Sequence, residues 1–232
     1  MKIQAKTLYV LNEENRIVGI NEPEQAGAPL LFIGRTKKSI EFYYNHNLPE
    51  HIVNVLNRIL SESINVMELC RVLEKYRKIT SIWMGPAFVC PSNDSRQNIA
   101  NNAIVMTEKN SHFLSKYFPA LIPEIELRSP VVGLIVDGQA VSVCSCARKS
   151  EAAAEAGLLT IEQYRGNGYA ERVVAEWIHQ VRQGGLIPLY STSWDNMSSQ
   201  RIAQKLNMVQ YGMDFSITAE QSFEAKRRPY DN

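Results

Sequence analysis

The sequence predicts an α/β fold, and three observations predict it. Short β-rich runs recur along the whole chain, amphipathic helical stripes alternate with them, and at Thr160–Gly185 one such run passes through a glycine turn straight into a helix. The chain has 232 residues, 45% hydrophobic and 21% charged, a globular balance with room for one large domain or two small ones. Its net charge of +1 argues against a basic field for nucleic acid. No apolar run approaches the roughly 18 residues of a membrane span, and the start lacks an uninterrupted apolar signal core. A cytoplasmic protein without a membrane partner is the expectation.

The elements follow in order. "KTLYVLNEENRIVGI" reads as two β-rich runs around a polar turn, a hairpin, and "PLLFIGRTKKSIEFYYN" as a second. Pro49 stands near the start of a helix whose stripe is Ile52, Val55, Leu56, Ile59 and Leu60. Asn65 precedes Glu68 at the spacing of a capping box, opening a helix with Leu69, Leu73 and Tyr76 on its buried face. This part, 1–78, reads as a small N-terminal α/β lobe without visible chemistry. A strand, "TSIWMGPAFVCP", comes next. The polar stretch 91–102 reads as a loop or linker, and "TEKNSHFLSKYFPALIPEI" as helical to about Phe118.

From Pro130 the pattern sharpens. "PVVGLIV" and "QAVSVCSCA" are strands joined by Asp137-Gly138, a strong hairpin signal. "RKSEAAAE" reads as a polar turn and "AGLLTI" as the strand that enters the glycine turn. In the following helix Val173, Val174, Trp177, Ile178 and Val181 share a side, and Gly184-Gly185 ends it as a left-handed cap would. "LIPLYSTS" is a strand. Asn196 is a good N-cap for the short helix "NMSSQRIAQKLNM", "VQYGMDFSIT" is a last strand or hairpin, and 221–232 is a charged tail.

The turn itself, Arg165-Gly166-Asn167-Gly168-Tyr169-Ala170, stands where a helix start leaves backbone N–H groups unpaired and aligned with the helix dipole. That is an anion site, and glycines let the backbone close on a bulky anion such as a pyrophosphate. A Walker A loop is absent, and Glu171 occupies the third slot of the dinucleotide pattern, so neither reading holds; a tight turn without a ligand stays open. Cys144 and Cys146 alternate on one strand face and read better as small strand residues than as a thiol pair. The four histidines are scattered, and no metal site is expected.

At these residues the sequence resembles the GNAT N-acetyltransferases. "LLTIEQYRGNGYA" is similar to their motif A, with Arg165, Gly168 and Ala170 in its fixed slots. "NMSSQRIAQKLNM" is similar to their motif B, with Asn196, Ser199, Ile202, Lys205 and Leu206 fitting. The order of elements fits as well, best over 130–218, and the wording looks like a bacterial subgroup with an added N-terminal lobe. The resemblance implies a GNAT-type mixed central sheet with flanking helices over 79–220, and acetyl-CoA as cofactor. By carry-over, the backbone of Leu158, Leu159 and Thr160 would pair with the pantetheine arm. The N–H groups from Gly166 through Asn167, Gly168, Tyr169 and Ala170 to Glu171 would hold the pyrophosphate, and Asn196 and Ser199 would lie beside the pantetheine. Lys205 would lie near phosphate or on a solvated helix face.

Two departures matter. Ala203 stands where many members carry the tyrosine that protonates the departing thiolate, and Ser191 where some carry a glutamate base. Glu155 is then the candidate base, set by alternation with Gly157 and Leu159, unless a bulge in that strand flips it. Its other reading is a strand-edge carboxylate paired with Arg148 or Lys149, with transfer resting on proximity and a backbone oxyanion contact and no side-chain base. Tyr211 could replace the missing acid or simply pack, and Trp194 could wall the substrate pocket or join the core. The expected activity is acetyl transfer to a primary amine of a small molecule by direct attack in a ternary complex. The rivals are a non-catalytic acetyl-CoA-binding module, a protein or peptide acetyltransferase, and a tRNA-acetylating toxin. The N-terminal lobe would shape the acceptor pocket or a homodimer contact.

Overall fold

The computed structural model describes residues 1–22, 27–91 and 102–220. The polar linker read at 91–102 falls outside them but for its two end residues, and the tail 221–232 falls outside them entirely. The chain opens with a short helix, α1 (Lys2–Leu8), so Lys6, Thr7 and Leu8 are helical where the sequence reads as strand. Seven residues are too few for a stable isolated helix. Burial of Gln4, Ala5, Thr7 and Leu8 holds it in place. The two N-terminal hairpins form as read: β1 (Tyr9–Leu11) with β2 (Ile17–Ile20), and β3 (Leu31–Thr36) with β4 (Ile40–Tyr44), both antiparallel.

Helices α2 (Glu50–Glu62) and α3 (Val66–Glu74) follow, α3 capped by Asn65, whose side chain accepts from the Glu68 N–H at 3.2 Å. Next come β5 (Ile79–Val89) and β6 (Ala103–Met106), the latter a strand the sequence reading left unassigned. The helix read over 107–118 is instead a pair of 3₁₀ segments, Glu108–Leu114 and Pro119–Glu124. Pro119 and Pro123 lack the N–H that an α-helical ladder needs. β7 (Val131–Val136) and β8 (Gln139–Lys149) turn at Asp137 and Gly138, both at positive φ (49° and 73°), as a two-residue hairpin loop requires. β8 runs on to Lys149 and β9 (Ala153–Thr160) begins at Ala153, so the polar turn between them is shorter than the sequence suggests. The remaining elements are α4 (Tyr169–Gln183), β10 (Ile187–Ser191), α5 (Met197–Lys205) and β11 (Val209–Ala219), a single strand. Of the two glycines ending α4, Gly185 (φ 77°) is the left-handed one and Gly184 is not.

Nine strands form one mixed sheet in the order β4-β3-β11-β5-β10-β9-β8-β7-β6. Among the described residues only the β9–β10 pair of this sheet is parallel. Strands of the N-terminal lobe therefore continue the sheet that carries the glycine turn. Alternation sorts the faces. On β3, Leu31 and Ile33 pack with α2 and α3, while Phe32 packs with α1 and the β1–β2 hairpin on the opposite face. On β9, Ala154 lies in the core built on Val173, Val174, Trp177 and Val181 of α4, and its neighbour Glu155 faces the α1 side. Trp177 is fully buried and anchors α4 to the sheet, fixing where the helix N-terminus points.

Candidate active site

The site begins at the glycine turn. Gly166 (φ 83°) and Gly168 (φ 73°) are both left-handed, and a Cβ built on either meets nothing within 4 Å. Glycine is needed there for backbone conformation, and the space outside the turn is open. The loop is closed by its own side chain: Asn167 Nδ2 donates to the Tyr164 and Arg165 carbonyls at 3.1 and 3.3 Å. Arg165 Nε donates to the Thr160 carbonyl at 3.4 Å. The first helical bond of α4 runs from Arg172 N–H to Gly168 O, so the N–H groups of Gly168, Tyr169, Ala170 and Glu171 precede the ladder. Lys205 pairs with Glu171 (Nζ to Oε2, 3.1 Å) while its side chain stays 60% exposed, closer to the solvated-face reading than to a phosphate ligand.

The second feature is a split in the sheet. β9 pairs with β10 only over Ala153–Glu155, against Ile187–Leu189. On its other edge it stays paired with β8 as far as Thr160. From Ala156 to Thr160 the strand therefore presents an open edge on the β10 side, ending one turn before the glycines. β10 meanwhile leans onto β5, Leu189–Ser191 against Ala87–Val89. The approach there is close: a Cβ on Gly85 would lie 1.7 Å from the Thr192 carbonyl oxygen. Leu158 packs toward α4, and Leu159 is 64% exposed. Across the split, Asn196 Oδ1 accepts from the Ser199 N–H at 3.1 Å and caps α5. The Ser199 hydroxyl bonds the Tyr190 hydroxyl, whose pKa burial pushes up to about 12.

The third feature is a cavity of about 290 Å³ on the α1 side of the split, with Ala156 and Ser191 among its walls. Glu155 lines it and is 5% exposed. The register shift beside it lies in β8, where Ala147 is the extra residue, so Glu155 keeps the face it shares with Gly157 and Leu159. Its Oε1 accepts the Ser191 N–H at 2.6 Å and the Ser191 hydroxyl at 2.7 Å. Its Oε2 is buried with no hydrogen-bond partner among the described residues. Burial raises its pKa, opposed by the two Ser191 donors and by Arg148. The alternative of a surface carboxylate bonded to Arg148 or Lys149 does not match this geometry. Arg148 Nε instead donates to Glu22 Oε1 at 2.7 Å, and its guanidinium lies 5.9 Å from the centre of the Tyr9 ring.

Sequence reasoning missed a second acid here. Asp214, 1% exposed, lines the same cavity. Its Oδ2 accepts from Gln4 Nε2 at 2.6 Å, and its Oδ1 has no hydrogen-bond partner among the described residues. Burial holds its pKa well above the usual carboxylate range, with the Glu155 charge adding to the effect. The only local signal was an acid between Met213 and Phe215 in an apolar strand. Tyr211 donates its hydroxyl to Gln4 Oε1 at 2.8 Å and is pushed up by burial, so that proton is already engaged. Trp194 is 43% exposed, outside the core, and does not line this cavity. Ala203, in the tyrosine's place, is fully buried.

Residues 131–211 match the family model of the GNAT acetyltransferases. A GNAT-family acetyltransferase from Colwellia psychrerythraea is 13% identical and similar over 78% of this chain and 76% of its own, with a TM-score of 0.50. A GCN5-related N-acetyltransferase-like protein from Streptococcus suis is 15% identical over 82% of this chain and 84% of its own, with a TM-score of 0.49. No curated protein matches the chain. No helix among the described residues is long and apolar enough to cross a membrane. The glycine turn, the split parallel pair and the Asn-capped helix all lie inside the matched residues, so that this part of the chain is similar to a GNAT acetyltransferase domain.

Proposed function

We propose that the chain is an acetyl-CoA-dependent N-acetyltransferase, with residues 79–220 as its acetyltransferase unit, acting on a primary amine of a small molecule in a ternary complex. The observation that carries this reading is the half-satisfied Glu155 carboxyl. It lines a half-open cavity at the point where the β9 edge opens. Residues for the cofactor fit on structural grounds. Two open left-handed glycines lead into unpaired N–H groups at the N-terminus of α4, which suit a pyrophosphate. The free edge of Leu158, Leu159 and Thr160 suits an extended amide-bearing arm, much as a strand edge takes a peptide. Asn196 and Ser199, bonded within their own turn and to Tyr190, would wall that arm.

When bound, acetyl-CoA would supply an acetyl thioester and leave as CoA. The chain's own residues handle the proton. An alkylamine has a pKa near that of lysine, about 10.4, and arrives as an ammonium ion. Glu155 Oε2 takes the first proton, which frees the amine to attack, while the Ser191 donors keep the carboxylate aimed through Oε1; the second proton leaves with the CoA thiolate. Ala203 offers no acid, and the departing thiolate, with a pKa near 8.5, needs little protonation help. A cavity of about 290 Å³ sits at the low end of ligand pockets and favours a small acceptor over a folded protein surface.

The test is calorimetry of acetyl-CoA binding to wild type, Gly168→Glu and Gly185→Glu. Both variants place a side chain at a left-handed, open position, one at each end of α4. Only Gly168→Glu is expected to lose binding. Equal binding by all three sinks the cofactor site. Tight binding without turnover of any amine sinks the catalytic reading and leaves a binding module.

A further inference from the structure

The cavity beside Glu155 carries a charge pattern that names an acceptor class, provided that it is the acceptor pocket of the reading above. Its charged walls come from different elements: Glu22 after β2, Arg148 on β8, Glu155 on β9 and Asp214 on β11. Arg148 and Glu22 neutralise each other at 2.7 Å. Two carboxyls remain, and each is satisfied in the same half-way manner. One oxygen is held by fixed protein donors, from Ser191 for Glu155 and from Gln4 for Asp214. The other oxygen is buried and has no hydrogen-bond partner among the described residues.

An unpaired carboxylate away from water is expensive unless a cation completes it. Burial holds both acids toward the neutral form, and two positive charges in the cavity would complete both as carboxylates. A monoamine would complete one. An amino acid would bring a third carboxylate against the other two. A molecule with two ammonium groups completes both. The spacing agrees with a short chain. Glu155 reaches β10 through Ser191, and β5 alone separates β10 from β11. Across the sheet the two carboxyls are about two strand spacings, roughly 10 Å, apart, with Ser191 and Asp214 opposite β5 residues two positions from each other. Two hydrogen bonds of about 2.8 Å take up part of that distance, leaving room for a spacer of a few carbons.

We propose that the acceptor is a short aliphatic diamine. Its reacting nitrogen is placed at Glu155 Oε2, and its second nitrogen, kept as ammonium, is held by Asp214 Oδ1. In the transfer the ammonium nitrogen at Glu155 gives one proton to that carboxylate, attacks the acetyl carbon as the free amine, and loses its second proton to the departing CoA thiolate as the C–S bond breaks. The far nitrogen keeps its charge throughout. Asp214 is then a specificity residue, and Gln4 positions it while its own carbonyl is held by Tyr211.

The test uses three acceptors of one chain length, diaminobutane, aminobutanol and aminobutyrate, whose far ends are positive, neutral and negative. Each is assayed with acetyl-CoA and titrated calorimetrically into the wild-type protein and into Asp214→Asn. Wild type is expected to favour diaminobutane over aminobutanol by about 10–100-fold in kcat/KM, the worth of a hydrogen bond to a charged group, and to take aminobutyrate worst. Asp214→Asn is expected to collapse the first ratio toward one, through KM, and Asp214→Glu to restore part of it. Equal use of diaminobutane and aminobutanol by wild type overturns the proposal, as does a preference for aminobutyrate. A loss in Asp214→Asn that is the same for all three acceptors marks the residue as structural and overturns it too. If no amine turns over, the acetyltransfer reading fails, and the binding ratios among the three amines still decide the charge preference of the cavity.

Discussion

Replacing Ser191 by alanine removes one of the two donors that hold Glu155 Oε1 and leaves the backbone N–H donor in place. The hydroxyl lies 2.7 Å from the carboxyl oxygen, a normal charge-assisted distance. Such a bond is worth about 1.5–3 kcal/mol to the ionised form and about 0.5–1.5 kcal/mol to a neutral acceptor. The difference, about 1–1.5 kcal/mol, acts on the protonation equilibrium and moves the Glu155 midpoint up by about one pH unit. The direction follows from the causes already acting: burial raises this carboxyl, and Ser191 is the first group opposing it. A ¹³C NMR titration of the glutamate carboxyls measures the midpoint without any acceptor, with Glu155→Gln assigning the signal. The acid limb of kcat/KM should move the same way, since it reports the free enzyme's base. A wild-type signal at the ordinary glutamate value would refute the burial argument. An unmoved midpoint in Ser191→Ala would refute the role given to the hydroxyl.

Two further outcomes follow from the same geometry. Glu155 and Asp214 both have raised folded-state pKa values. Their contribution to stability is therefore full below the unfolded carboxylate pKa and lost as pH rises through the folded values. Asp214→Asn should gain thermal stability on wild type between pH 4 and pH 8, by several degrees at about 2–4 °C per kcal/mol; a pH-independent difference in Tm would contradict this. Gly85→Ala must push a backbone carbonyl aside, since its Cβ would lie 1.7 Å from Thr192 O. Overpacking of this kind costs about 1–3 kcal/mol and should also loosen Ser191 from Glu155, read as a lower denaturation midpoint together with a shifted Glu155 titration. An unchanged denaturation midpoint would show that β10 does not hold its close approach to β5.

What the sequence makes legible is local. The Asp137-Gly138 turn, the Asn65 and Asn196 caps and the apolar stripe of α4 each announce themselves within a few residues, because the turn, cap or face is made by those residues alone. α1 was illegible since its helicity depends on burial against distant strands, and the paired 3₁₀ segments since prolines forbid what the apolar spacing suggests. The insertion of β5 between β10 and β11 leaves no local trace, being a matter of crossover. The site divides in the same way. Glu155 could be put forward as a candidate from the resemblance, which places a glutamate on the strand before the glycine turn. Asp214 could not, because what makes it unusual is a bond to Gln4, 210 positions away in the chain.

That bond also says what the N-terminal elements contribute. Leu8, Tyr9, Ile20 and Phe32 line the cavity, and Gln4 binds both Asp214 and Tyr211. A chain selected for stability alone would satisfy both oxygens of a buried carboxyl or replace the acid with an apolar residue. Here two acids on strands far apart in sequence are each fixed through one oxygen, with the other buried and without a hydrogen-bond partner among the described residues, and both line one cavity beside the opened edge of β9. A single orphaned oxygen could be a packing fault. The same incomplete arrangement twice, around a shared space, with donors from α1 and β10 orienting the carboxyls, is what the two ammonium groups of the proposed acceptor would complete.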